Sequence, residues 1–212
     1  MSDAIQPADV EAFFTRDDGS FLFARWGRPL APMVIGVDDA TLAVVKGAFE
    51  AVATLPGQPM LAETDPELGS NCMMFFFRDW DELAAVPDLD RLIPDLATLL
   101  GRLKAADANQ YRVFRFDEAG AIKAVFVFLR MDDQLAAMPA GDLALAQVAQ
   151  VMLCWSEAAF RNRSPLARIG DTTILRPDVS AIIRAAHDPL LPAMATDPSH
   201  ALRLFARLET PA

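Results

Sequence analysis

Two patterns of apolar and polar residues alternate along this chain, one typical of strands and the other of helices. Short apolar runs bounded by glycine, proline or polar residues favour strands. These runs are Ser20–Trp26, Ala31–Val37, Met60–Glu63, Asn71–Arg78, Gln110–Phe116 and Ala121–Arg130. The run at Asn71–Arg78 is apolar without alternation, which is typical of a central strand buried on both faces. The last two runs flank Asp117–Gly120 and predict a β-hairpin.

Apolar residues spaced three or four positions apart predict the helices. The first is capped by Asp38 or Asp39 and stopped by Pro56 and Gly57, and the others span Asp88–Lys104, Leu143–Phe160, Pro177–Ala186 and Asp197–Leu208. Pro94 would kink the second helix or mark its first turn. Together these segments predict an α+β fold, in which a small, mostly antiparallel sheet packs against helices. Because no long linker interrupts them, we expect a single domain over residues 1–212.

Leu143–Phe160 is the most apolar of the predicted helices, and we expect it to be the most buried. Its polar residues Gln147, Gln150, Cys154 and Glu157 follow one another at i, i+3, i+7 and i+10. On a helix this spacing places them on one face. Such a face either lines a ligand-binding cleft or forms the one edge of the helix that meets water.

Composition narrows the classes of partner. Hydrophobic residues make up 53% of the 212 residues, which is ample for a core, and the formal net charge is −10. An acidic surface repels phosphate groups, so we expect no nucleic-acid partner and no binding to anionic membrane surfaces. The longest unbroken apolar run, Ala124–Leu129, is too short to span a bilayer.

The N-terminal residues carry no basic segment followed by an apolar one, so the sequence predicts no signal peptide and a cytoplasmic protein. Cys72 and Cys154 are then expected to be reduced, buried thiols.

The chain contains only two histidines, His187 and His200, and both lie near the C-terminal end. This scarcity argues against hydrolases that rely on imidazole as a base or as a metal ligand. We expect His187 to act as a cation at a helix C-terminus and His200 to be exposed. Cys154 and Glu157 form a weak metal-binding pair without a visible third ligand, so the sequence predicts no metal site and no cofactor.

Three segments resemble a family of uncharacterised, mostly alphaproteobacterial proteins with a zincin-like, metalloprotease-like fold. They are Gly120–Phe128, Leu153–Glu157 and Leu175–Leu191. The family's central motif reads His-Cys-x-x-Glu-Glu-x-x-Gln on a helix. Cys154 and Glu157 match this motif.

The departures from the family pattern fall on the residues that would carry chemistry. Leu153 replaces the family's histidine, Ala158 its second glutamate and Arg161 its glutamine. Further along, Asp188 and Pro189 match, with His187 in place of a tyrosine. The resemblance therefore implies a zincin-like fold whose metal site has lost its ligands.

Two functions are compatible with the sequence. The first is a non-catalytic zincin-like domain that binds a protein or a small molecule beside Leu143–Phe160. The second is a hydrolase-like enzyme that uses Glu157 with partners from other segments. A basic cluster of Arg161, Arg163 and Arg168 either receives a carboxylate or phosphate or pairs with surface acids.

Overall fold

Helices and strands alternate in a computed structural model of the protein, which describes residues 5–61, 69–87 and 89–208. The strands are β1 Phe23–Ala24, β2 Pro32–Ile35, β3 Cys72–Phe77, β4 Gln110–Phe116, β5 Ile122–Arg130, β6 Leu166–Ile169, β7 Thr172–Leu175 and β8 Met194–Ala195. The helices are α1 Pro7–Ala12, α2 Asp39–Thr54, α3 Asp81–Ala84, α4 Leu89–Leu92, α5 Leu96–Ala105, α6 Asp133–Ala136, α7 Ala140–Val151, α8 Pro177–Ala186 and α9 Ser199–Leu208. The predicted α+β class is confirmed.

The main sheet contains four strands in the order β2-β3-β5-β4. β3 pairs in parallel with β2 and β5, whereas β4 pairs antiparallel with β5. The two remaining pairs, β1–β8 and β6–β7, are antiparallel. The central position of Asn71–Arg78 and the hairpin at Asp117–Gly120 are therefore confirmed. The main sheet itself is mixed, because helix-containing crossovers connect its parallel strands.

Side chains of the sheet alternate between two hydrophobic clusters, one on each face. Cys72, Met74 and Phe76 face the larger cluster, which includes buried residues of α2 and α7. Phe75 and Phe77 face the smaller cluster, which includes buried residues of α3, α4 and α5. The burial of β3 on both faces explains why its sequence shows no alternation of apolar and polar residues.

The predicted helix Leu143–Phe160 is wrong in its second half, because α7 ends at Val151. Beyond it the chain is extended, and the backbone N–H of Cys154 donates to the Ala24 carbonyl at 2.9 Å. Two indole N–H groups reach carbonyls of the last helical turn, Trp26 to Val151 at 2.8 Å and Trp155 to Ala149 at 3.0 Å. Apolar content does not distinguish a buried helix from a buried extended segment, so the end of α7 at Val151 could not be predicted from the sequence.

Other helix boundaries also differ from those predicted. Asp142 lies in the first turn of α7, which begins at Ala140. The helix predicted for Asp88–Lys104 is divided into α4 and α5 around Pro94 and Asp95, and Asp95 has a left-handed φ of 57°. Asp88 lies outside the described residues. In the predicted strand Met60–Glu63, Met60 makes a bridge to Leu30, while residues 62 and 63 lie outside the described residues.

Both histidines lie in environments that the sequence did not predict. His200 is 2% exposed, and its ring centroid lies 4.3 Å from that of Phe23. The Nδ1 of His187 lies 2.9 Å from the Ile183 carbonyl oxygen. Burial lowers the pKa of each histidine to about 4. The exposed position expected for His200 and the cationic role expected for His187 are therefore wrong, because burial disfavours the charged ring.

Within residues 5–61, 69–87 and 89–208, no helix combines the length and apolar character needed to cross a bilayer.

Candidate ligand-binding site

The four polar residues singled out in the sequence lie around one cavity at the edge of the main sheet. Gln150, from the last turns of α7, and Glu157, from the segment after it, line this cavity, whose volume is about 390 Å³. Gln147 and Cys154 are buried behind its wall and contact two of its arginines. Because α7 ends at Val151, the four residues do not share a helical face. They converge because the chain folds back beside α7.

Arg16 joins Cys154 and Glu157. Its Nη1 donates to Oε1 of Glu157 at 2.7 Å, and its Nη2 donates to Sγ of Cys154 at 3.0 Å. Burial raises the pKa of the Cys154 thiol, while the positive charge of Arg16 works in the opposite direction. The carboxylate of Glu157 remains partly open to solvent, with 53% of its side chain exposed. Arg16 therefore holds a neutral thiol and a charged carboxylate at one end of the cavity.

Arg112 lies deeper, on the face of β4 that points towards α7. Its Nη2 donates to Oε1 of Gln110 at 3.0 Å and also to Oε1 of Gln147. The Nε2 of Gln147 donates to the same Gln110 oxygen at 3.2 Å. Both glutamines are neutral, so this network orients the guanidinium without neutralising its charge.

The positive charge of Arg112 has no counterion in the described part of the chain, and its buried Nε has no hydrogen-bond partner there. Burial lowers the pKa of Arg112 to about 10. A group with this pKa is still protonated at neutral pH. The side chain is thus a half-buried cation, with an enclosed Nε, beside an open cavity, and this arrangement costs free energy unless an anion pairs with it.

The remaining walls combine a third arginine with aromatic rings. Arg161 lies at the mouth and pairs with Asp17, Nη2 to Oδ2, at 2.8 Å. Trp155 and Phe160 line the cavity and meet edge to face, with ring centroids 5.2 Å apart. Phe114 of β4 also lines the cavity. Glu157 neutralises Arg16 and Asp17 neutralises Arg161, so the positive charge left over for an anion is that of Arg112. The rings favour a partner with some apolar surface.

Surface pairing accounts for two members of the predicted basic cluster. Arg161 pairs with Asp17, and Nη1 of Arg163 lies 3.8 Å from Oδ2 of Asp178. Arg168 is exposed and does not line the cavity.

A larger cavity of about 1010 Å³ lies between α1, α8 and α9, and Arg163 of the predicted basic cluster contributes to its lining. Its buried cation, Arg176, is already paired with Asp178, Nε to Oδ1, at 2.6 Å. Its charge is therefore compensated within the chain. This difference makes the smaller cavity the stronger candidate for an anion.

The residues around Leu153 do not fit the zinc site that the family resemblance would suggest. Leu153 offers no donor atom, and the guanidinium of Arg16 occupies the approach to both Cys154 and Glu157. Among the residues that the structure describes, no three histidine, cysteine or acidic side chains come together as a metal site would require.

Sequence reasoning missed Arg16, Arg112 and Gln110. Arg16 and Cys154 are 138 positions apart, and Arg112 and Gln147 are 35 apart. No local spacing connects residues so distant in the chain, and only the fold brings them together.

Comparisons of the chain with protein-family models, with curated proteins and with solved structures found no match. The zincin-like resemblance therefore stays a prediction.

Proposed function

We propose that this protein is a non-catalytic binding domain that holds a carboxylate-bearing organic molecule in the cavity beside α7. The observation that carries the proposal is Arg112, a half-buried guanidinium without a counterion among the described residues. A half-buried charge without a counterion is unfavourable, and a carboxylate that enters the cavity offsets part of this cost.

The geometry of a guanidinium suits a carboxylate. Its N–H groups form charge-assisted hydrogen bonds to carboxylate oxygens, and such bonds are shorter and stronger than neutral ones. Gln110 and Gln147 accept both hydrogens of the Arg112 Nη2, so we expect an incoming carboxylate to accept from Nη1. Gln110 and Gln147 already fix the orientation of the Arg112 side chain. Less side-chain entropy is then lost on binding, which favours affinity.

The residues favour binding over hydrolysis. Among the residues that the structure describes, Glu157 is the one carboxylate that lines the cavity, and Arg16 already pairs with it. The Cys154 thiol has a pKa raised chiefly by burial, so it is not a ready nucleophile. A general base or an activated nucleophile would need the opposite arrangement.

Thermal unfolding with matched probes tests the proposal. Succinate and benzoate are compared with succinamide and benzamide, which have similar shapes without the charge. We expect the anions to raise the melting temperature by about 2 to 4 °C and the amides to leave it unchanged. Arg112→Met should abolish the shift. Arg168→Met removes an exposed arginine outside the cavity and should preserve it.

Equal shifts with the anions and the amides would contradict the proposal, as would an anion response that survives Arg112→Met. If Arg112→Met and Arg168→Met reduced the anion-induced shift in melting temperature equally, the response would be a general charge effect, and the site would be rejected.

A further inference from the structure

The outer edge of β4 is open. The backbone N–H of Arg130 donates to the Asn109 carbonyl at 2.8 Å, and Tyr111 is paired with Phe128 in the same antiparallel register. In such a ladder every second residue directs its backbone groups to the neighbouring strand. Tyr111, Val113 and Arg115 therefore face β5, whereas Gln110, Arg112 and Phe114 direct their N–H and carbonyl groups outward.

None of these three outward N–H groups donates to another backbone group in the part of the chain that the structure describes. β4 also forms the end of the strand order in the main sheet. The chain thus presents a row of backbone donors and acceptors that a further strand can use.

The open edge lies between two cavities, one on each face of the sheet. The cavity with Arg112 lies on the α7 face. A second cavity of about 610 Å³ lies on the α5 face and is lined by Arg102 and Arg115 together with Val113. Tyr111 lines both cavities, so each of them borders β4.

Positive charge dominates both sides of this edge, although the chain as a whole carries a formal net charge of −10. Arg115 donates to backbone carbonyls, at 2.7 Å to that of Leu92 and at 3.4 Å to that of Phe114. Neither Arg102 nor Arg115 forms an ion pair with a carboxylate of the described residues. Arg91 and the carboxylate of Asp95 also line the second cavity, so arginines outnumber carboxylates in its lining.

We infer that an extended acidic peptide binds to β4 as a fifth strand, with its carboxylates entering the two cavities alternately. Successive side chains of a strand point to opposite faces, and those on one face are about 7 Å apart. Strand addition of this kind takes affinity from backbone hydrogen bonds and specificity from pockets for alternate side chains. The inference rests on the proposed function, because one of the peptide carboxylates is the anion that pairs with Arg112.

Isothermal titration calorimetry with short synthetic peptides tests the inference. The probe is acetyl-TEVEEVT-amide, which places carboxylates on both faces of a strand, and acetyl-TKVKKVT-amide is its charge-reversed control. We expect the acidic peptide to bind and the basic peptide not to bind. Binding of both peptides with similar affinity would overturn the inference.

Backbone methylation separates strand pairing from simple charge attraction. Two forms of the acidic peptide carry N-methyl groups on alternate residues, one at odd and the other at even positions. Only one set of N–H groups faces β4, so one form should lose affinity about 10-fold or more and the other should bind nearly as well as the parent. Equal behaviour of the two forms would overturn strand pairing.

A variant on the far face distinguishes this inference from the proposed function. Arg102→Gln should weaken the acidic peptide about fivefold, as expected for a partly exposed ion pair, and leave the response to succinate and benzoate unchanged. If the small anions bind through Arg112 but the peptide does not bind, the peptide inference is wrong and the proposed function stands. If neither binds, both are wrong.

A second copy of this chain is the other occupant that an open edge admits. Sedimentation velocity of the protein without peptide should show a monomer. A dimer that the acidic peptide fails to dissociate would assign the edge to self-association and overturn the inference.

Discussion

Gln147 is the residue on which the orientation of Arg112 depends most. It is 2% exposed, it accepts a hydrogen bond from Arg112, and it donates one to Gln110. Gln147→Leu removes one acceptor of the half-buried Arg112 guanidinium and leaves its hydrogen bonds less well satisfied. We expect this change to lower the free energy of unfolding by about 2 kcal/mol, as measured by urea denaturation.

The double variant Arg112→Met/Gln147→Leu provides the matched control. It removes the cation and its acceptor together, and the exposed Gln110 can then turn to water. We expect the double variant to be more stable than Gln147→Leu alone, because replacing both partners by apolar groups avoids an unsatisfied buried charge. A double variant whose loss equals or exceeds the sum of the single losses would refute the view of Arg112 as an uncompensated charge.

The buried histidines give the stability of the protein a defined dependence on pH. Burial lowers the pKa of His187 and of His200 to about 4, below the ordinary value of 6.5. Nearby arginines act in the same direction, Arg25 at His187 and Arg203 with Arg207 at His200. Between about pH 4 and pH 6.5 the two histidines of the unfolded chain bind more protons than those of the folded one. Their contribution to the free energy of unfolding is therefore complete above about pH 6.5 and is lost as the pH falls towards 4.

His200→Leu tests this dependence, because it removes one titrating ring from a buried position. We expect the histidine-linked loss of stability between about pH 6.5 and 4 to fall to about half, the remainder coming from His187. Urea unfolding at several pH values, for the parent and the variant, measures the difference and cancels the shared contribution of the carboxylates. Parallel pH profiles for the two proteins would show that His200 does not contribute.

Among the elements, α7 shows where sequence patterns succeed and where they fail. Its helical spacing identified Gln147 and Gln150 correctly as residues of one helix. The continuation to Phe160 failed because the following residues are equally apolar but pair with the segment around Arg25. The hairpin and the central strand were predictable, since a turn signal or an unbroken apolar run marks each of them. The arginines of the cavity were not predictable, because distant segments supply them.

The end of α7 depends on indole donors, and Trp26 tests this dependence. Trp26 is fully buried, and its Nε1 donates to the Val151 carbonyl at 2.8 Å. Trp26→Phe keeps an aromatic ring but leaves that carbonyl without a donor from residue 26. We expect a loss of about 1 to 3 kcal/mol in the free energy of unfolding, measured by urea denaturation followed by circular dichroism. A loss below about 0.5 kcal/mol would show that the indole is not needed at this helix end.

At the scale of the whole molecule, the main sheet couples the two hydrophobic clusters. β3 and β5 supply buried side chains to both faces, Phe76 and Val127 to the larger cluster and Phe75 and Phe128 to the smaller one. A strand cannot lose its packing on one face without disturbing the other. We therefore expect the two clusters to unfold together as one cooperative unit.

The three tryptophans allow this coupling to be measured. Trp80 and the fully buried Leu83 belong to the smaller cluster, whereas Trp26 and Trp155 belong to the larger one. In a Trp80→Phe background, fluorescence reports on the larger cluster alone. Adding Leu83→Ala creates a cavity in the smaller cluster and should lower the free energy of unfolding by about 2 to 5 kcal/mol. Because the clusters share two strands, the fluorescence midpoint in urea should shift as far as the midpoint from circular dichroism. If the urea midpoint from fluorescence stays the same while the midpoint from circular dichroism shifts, the two clusters unfold independently.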